Sequence, residues 1–163
     1  MTTVHITQGT AVPLNRLVAA LIDFGPGREE IFGNGHEQWV WVNVCGDTWT
    51  DVTEGSSGGL WERLRCDWSD LSVVRLTTVD SNIWRPGSGW VYSLSSRSDG
   101  GTDIDLVVVR KGCSIRGRFS AALMAVAGKP VLGRDLRRSL RAIEQSRPQG
   151  APKGEVSAGG TSP

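Results

Sequence analysis

Tyr92 is the only tyrosine of this 163-residue chain, and it stands two residues from Trp90 in the run Gly89-Trp90-Val91-Tyr92-Ser93-Leu94. Residues two apart on a strand share a face. The pair therefore presents a flat apolar wall with one phenol donor, suited either to orienting a carbonyl or hydroxyl of a bound molecule or to plain core packing. A second group lies in Arg63-Leu64-Arg65-Cys66-Asp67. An inward arginine there needs a carboxylate, thioester or enolate oxygen as partner, because a buried unpaired guanidinium is very costly. Alternation leaves two choices, Arg63 and Arg65 inward or Leu64 and Cys66 inward, and polarity alone buries the second pair. Asp51 and Asp67 are candidate general bases where burial beside apolar groups raises their proton affinity, although Asp67-Trp68-Ser69 also reads as a turn. His36, beside Gly35, is either a proton shuttle at a cavity mouth or an exposed loop histidine. His5 has no evident partner.

Other chemistries lack their residues. The sequence holds no Ser-His-Asp set, Cys-His pair or phosphate-cradling glycine loop, since Gly100-Gly101 precedes a strand and not a helix. Cys45, Cys66 and Cys113 are odd in number and widely spaced, so neither a disulfide framework nor a metal site is expected, and no cofactor either. The formal net charge of +1, from 18 basic and 17 acidic residues, supplies no global field for nucleic acid or an anionic membrane. The longest early apolar run, residues 17–22, follows Arg16 and is too short for a membrane span or a signal peptide. The expected location is the cytoplasm.

The elements that would position these groups follow from period and punctuation. Residues 4–7 read as a strand, and Pro13 opens a helix carrying Leu14, Leu17, Val18 and Leu21 until Gly25-Pro26-Gly27. A short helix spans residues 28–32. Strands are expected at 37–44, 48–53, 59–66 and 72–79, separated by turn signals, and a hairpin at 89–110 turns at Asp99-Gly100-Gly101. From Ser114 the period becomes helical: Ile115, Phe119, Ala122, Leu123 and Val126 form one stripe, and Leu132, Leu136, Leu140 and Ile143 continue it. Gly128 and Pro130 predict a kink or a break into two helices. Arg134, Arg137, Arg138 and Arg141 form a solvated face. Residues 1–146 read as one domain, and 147–163, rich in Pro, Gly and Ser, as a disordered tail.

One strand, two helices, six strands and a long helix resemble the helix-grip fold of the START-like superfamily, most of all its polyketide cyclase/dehydrase and lipid-transport branch. The residues carrying the resemblance are Pro13, Asp23-Phe24, Leu60-Trp61-Glu62-Arg63, Trp90 with Tyr92, Gly100-Gly101-Thr102, and the helix end at 140–144. It spans roughly residues 3–145. It implies an α+β fold in which a curved antiparallel sheet of about seven strands wraps the last helix around a deep apolar cavity. Two departures stand out. Where the resembling aromatic-polyketide cyclases carry a pocket Arg and a Tyr, this chain has Asp67 and Gly35 or His36, which argues against a conventional aromatase/cyclase.

The resemblance favours Arg63 and Arg65 pointing inward, and it makes Tyr92, Arg65 and Asp67 the candidate catalytic residues. The ligand wall it implies draws Trp41, Trp61, Arg63, Thr77 and Trp84 from the middle of the chain. The hairpin adds Trp90, Leu94, Ile104, Leu106 and Val108, and the final helix Phe119 and Leu123. The implied activity is binding of a polyketide-like or lipid-like molecule, either by a cofactor-independent cyclase/dehydratase or by a carrier or sensor. An acyl-carrier or other biosynthetic protein is a candidate partner. Nucleic acid is not, and the chain is expected as a monomer or homodimer.

Overall fold

Along residues 102–110 every second side chain is buried, from Thr102 through Ile104, Leu106 and Val108 to Arg110, the period of a strand with one covered face. The computed structural model describes residues 1–25, 27–32, 38–56 and 58–146. Its elements run β1 (Thr2–Thr10), α1 (Leu14–Ile22), α2 (Arg28–Phe32), β2 (Gln38–Cys45), β3 (Trp49–Ser56), β4 (Trp61–Asp70), β5 (Val73–Ser81), β6 (Gly89–Ser96), β7 (Thr102–Arg110) and α3 (Ile115–Gln145). All seven strands form one antiparallel sheet in the order β1-β7-β6-β5-β4-β3-β2. The sheet curves around α3, as the resemblance implies. His36 and the tail at 147–163 lie outside the described residues.

Register places the inward residues in rows. Cys66 lies opposite Leu76, Leu76 opposite Trp90, and Trp90 opposite Val108. The next row joins Val74 to Tyr92 and Tyr92 to Leu106. Trp90 and Tyr92 thus stand at the middle of the concave face. Against it pack Leu17, Val18 and Leu21 of α1 and Leu136, Leu140 and Ile143 of α3. Close backbone approach sets the start of β6: Gly89 has a φ of 146°, and a Cβ there would stand 2.0 Å from the Leu76 carbonyl oxygen.

Three local expectations are corrected. Asp67-Trp68-Ser69 belongs to β4, whose turn comes at Leu71 and Ser72, where the Asp70 carboxylate accepts from the Ser72 amide at 2.8 Å. The final helix does not divide in two, for α3 runs 31 residues with Pro130 inside it. Proline removes one hydrogen bond of the ladder, and the turns on either side continue the helix.

The third correction is the facing of the first half of α3. Ile115, Phe119 and Val126 are exposed, at 88%, 73% and 86%, and the face turned to the protein is Gly117, Ala121 and Gly128. A Cβ on Gly117 would meet the Ile83 carbonyl oxygen at 2.1 Å, and one on Gly128 a Val4 methyl at 2.9 Å. Small residues let this half lie close over β1 and the loop before β6, so close approach, and not apolar character, selects the buried stripe. From Leu136 onward the large apolar residues turn inward as expected.

Pro130 is exposed and caps nothing. Pro130→Ala is expected to restore a backbone donor and raise unfolding free energy by about 1–3 kcal/mol in urea melts. A loss of stability would show that the helix depends on the proline's geometry.

Candidate ligand cavity

A cavity of about 250 Å³ lies between the concave face, α1, α2 and α3. The sheet supplies Leu76, Trp90, Tyr92, Leu106 and Val108, and the helices supply Leu21, Phe32, Leu132 and Leu136. Its polar groups are Arg28, Glu54, Asp135 and Ser139. Tyr92 accounts for the donor on the wall. Burial pushes its phenol up to about 12, so the hydroxyl stays protonated, and it has no hydrogen-bond partner among the described residues.

Glu54 and Glu62 are direct cross-strand partners and both face inward. Like charges in that position repel, and each is answered by its own arginine. Arg28 brings its Nε to 3.4 Å from Glu54 Oε1. Its guanidinium lies 4.1 Å from the centroid of Phe24 and 4.8 Å from that of Phe32, while Nη1 donates to the carbonyls of Leu21 (3.2 Å) and Asp23 (2.7 Å). Stacking and carbonyl bonds thus fix this arginine before it meets Glu54.

Arg110 answers Glu62, with Nη1 at 2.9 Å from Oε1 and 3.3 Å from Oε2. The guanidinium stacks 3.6 Å from the Trp90 centroid and 4.9 Å from that of Trp84, and the Thr78 hydroxyl donates to Glu62. Desolvation pushes the Glu62 carboxyl up and the Arg110 guanidinium down, each toward its neutral form. Contact between them opposes both shifts. Arg110 Nε has no partner among the described residues.

The structure sorts the candidates by face. Leu64 and Cys66 are fully buried and point inward, so Arg63 and Arg65 lie on the convex side, as polarity argues and against what the resemblance favours. Arg63 bonds Asp51 there at 2.7 Å, and Asn43 donates to the same carboxylate at 2.9 Å. The Arg63 bond holds Asp51 below the usual carboxylate range, which unfits it as a base. Arg65 stacks 3.2 Å over Trp49. Asp67 is held below its usual range by the Ser69 hydroxyl and amide. Neither Arg65 nor Asp67 reaches the cavity, which corrects their expected catalytic placement.

The expected ligand wall divides similarly. Thr77 pairs with Arg65 and Trp41 with Thr53 on the convex side, and Trp61 sits on that face at 38% exposure. Phe119 and Leu123 face solvent for the reason given above. Trp84 packs with Ile83 and Ala121 in a separate small cluster, and Leu94 and Ile104 are buried in the core away from the cavity lining. Trp90, Tyr92, Leu106 and Val108 line it.

Arg28, Glu54, Asp135 and Ser139 were not singled out by sequence reasoning. Asp135 and Ser139 were legible as two polar residues one turn apart between Leu132, Leu136 and Leu140 on a buried stripe. Arg28 and Glu54 carried no such signal, because only the folded chain brings them together.

No family model and no curated protein matches the sequence. Solved structures do. One is the Zhui aromatase/cyclase from Streptomyces sp. R1128, with a TM-score of 0.69 at 17% identity over 87% of this chain and 93% of that one. A START superfamily protein from Mycobacterium smegmatis superposes with a TM-score of 0.63 at 11% identity, covering 88% and 95%. A protein from Thermus thermophilus gives 0.69 at 12% identity, covering 87% and 97%. The chain has the helix-grip fold of the START-like superfamily. Within this helix-grip chain the arginine at the cavity comes from α2 and not from β4. No helix among the described residues is long and apolar enough to cross a membrane.

Two predictions follow from the ion pairs. Glu62→Gln leaves the Arg110 charge buried without its counterion and is expected to cost about 3–5 kcal/mol in denaturant melts, whereas Glu62→Leu combined with Arg110→Met recovers most of that loss. Equal costs for the single and double variants would refute this account. Asp51 has a folded pKa below its ordinary 3.8, so its stabilisation is complete above that value and lost as pH falls through the lower, folded value. Asp51→Asn should flatten the acid side of the stability curve, measured by thermal melts from pH 6 downward to about 2.

Proposed function

We propose that this protein binds a small apolar molecule between its sheet and α3, as a carrier or sensor. The observation that carries this reading is the Tyr92 phenol: a protonated donor without a partner among the described residues, set in a wall of Trp90, Leu106 and Val108. Tyr92 is half-buried and borders the cavity, so its hydroxyl is open to a ligand oxygen that would supply the partner the protein does not. The cavity volume of about 250 Å³ is below the range of roughly 300–1,000 Å³ for drug-sized ligands. Its occupant is accordingly a compact body of up to three rings or a short acyl chain.

A cyclisation or dehydration activity is the second reading, favoured by the structural likeness to an aromatase/cyclase. In that case Trp90 would hold a folded chain by stacking, and Tyr92 would donate to a carbonyl whose oxygen gains charge. Tyr92 is held protonated and the Glu54 carboxylate is engaged by Arg28, which favours binding over proton abstraction by either of these groups.

The test is a titration with the neutral dye N-phenyl-1-naphthylamine. The wild type is expected to enhance its fluorescence, and Leu132→Trp, which fills the cavity from α3, to abolish the enhancement while keeping a cooperative melt. Tyr92→Phe should keep stability within about 1 kcal/mol, since no protein hydrogen bond is lost, and weaken ligands that offer an oxygen acceptor. No enhancement with the wild type, or undiminished enhancement with Leu132→Trp, would refute the reading.

A further inference from the structure

The polar groups of the cavity are not balanced in charge. Two carboxylates, Glu54 and Asp135, line it against one guanidinium, that of Arg28. The Arg28 charge is already met by Glu54 at 3.4 Å, and its Nη1 is occupied by the carbonyls of Leu21 and Asp23. Asp135 is half-buried on the inner side of α3, next to buried Leu136 and one turn before buried Ser139. It has neither an ion pair nor a side-chain hydrogen bond among the described residues. A carboxylate so placed is an acceptor with unused lone pairs beside an apolar space.

We infer that Asp135 sets the ligand class of this cavity: it takes an apolar molecule bearing a hydroxyl or amine hydrogen and turns away carboxylates such as fatty acids. This rests on the reading of the cavity as a binding site. A donor on the ligand satisfies Asp135 with a charge-assisted bond, which is stronger than a neutral one. A ligand carboxylate meets the opposite situation, because a like charge at close range in a partly desolvated site is strongly repelled. Tyr92 and Ser139 bond either kind of ligand, so they do not discriminate. Asp135 does.

Two probes of the same two-ring body separate the cases, 2-naphthol and 2-naphthoate, titrated calorimetrically and by thermal shift into the wild type and Asp135→Asn at neutral pH. The wild type is expected to bind 2-naphthol at least about tenfold more tightly than 2-naphthoate. Asp135→Asn keeps the shape, removes the charge and adds an amide donor, and should close most of that gap by strengthening 2-naphthoate. Asp135→Ser, smaller and also uncharged, should do the same and guards against a folding defect particular to one variant. Equal affinity for the two probes in the wild type, or a gap unchanged in both variants, overturns the inference. Failure of 2-naphthol to bind a protein that still binds N-phenyl-1-naphthylamine overturns it too, leaving the cavity reading intact. If neither 2-naphthol nor the neutral dye binds, the cavity reading falls and this inference with it.

Discussion

Two glutamates face each other across adjacent strands on the inside of the sheet, and much of the interior is arranged around keeping them apart in charge. Glu54 and Glu62 are register partners of β3 and β4, so neither can turn to solvent without turning its strand over. Each recruits an arginine from a distant part of the chain, Arg28 from α2 and Arg110 from the end of β7. Arg28 brings α2 against β3 and so closes one side of the cavity. Arg110 ties β7 to β4 across the concave face and gives Trp90 and Trp84 a cation to stack upon. A buried ion pair contributes little net stability once desolvation is counted. What these pairs supply is a fixed position for α2 and for the indole of Trp90.

The outer face shows the same residue types with a different outcome. Arg63, Asp51 and Asn43 bond one another on the convex side, and Arg65 lies over Trp49. Those residues look reactive in the sequence because they are charged, aromatic and closely spaced. On that face the charges are matched to neighbours, and the Asp51 and Asp67 carboxyls are held below their ordinary range, away from the raised proton affinity that a general base needs. Inside, the pattern is sparser: one phenol, one serine, one aspartate and the Arg28–Glu54 pair within an otherwise apolar lining. A few fixed polar groups in a mostly apolar lining orient a ligand and give a site its specificity.

Element order and sheet membership were legible in the sequence because alternation and turn chemistry are local. The short helix at Arg28–Phe32 and the hairpin around Gly100 fell where composition put them. Facing was legible only where polarity differed between neighbours, as at Leu64 and Cys66 against Arg63 and Arg65; there the residues' own alternation outperformed the family resemblance. The first half of α3 misled because hydrophobic periodicity reports which stripe is apolar, while packing distance decides which stripe fits. Gly117 and Gly128 fit. Of the cavity groups, Tyr92 and Trp90 could be picked out as a pair on one strand, whereas Arg28 and Glu54 become neighbours only through tertiary contact.

The pairing of β1 with β7 sets the timing of folding. Thr2 lies opposite Arg110 and Thr10 opposite Thr102, so β1 finds its partner only when the chain through Arg110 has emerged. At roughly 5–20 residues per second, that interval lasts about 5–20 seconds. The meander from β2 to β6 pairs neighbour with neighbour and can form meanwhile, but Val4 and Ile6, buried in the finished protein, have no sheet to join. Such long-range closure slows folding and leaves an apolar strand open to wrong pairings. For this chain β1, and not the cavity, is the segment that waits longest for its partner.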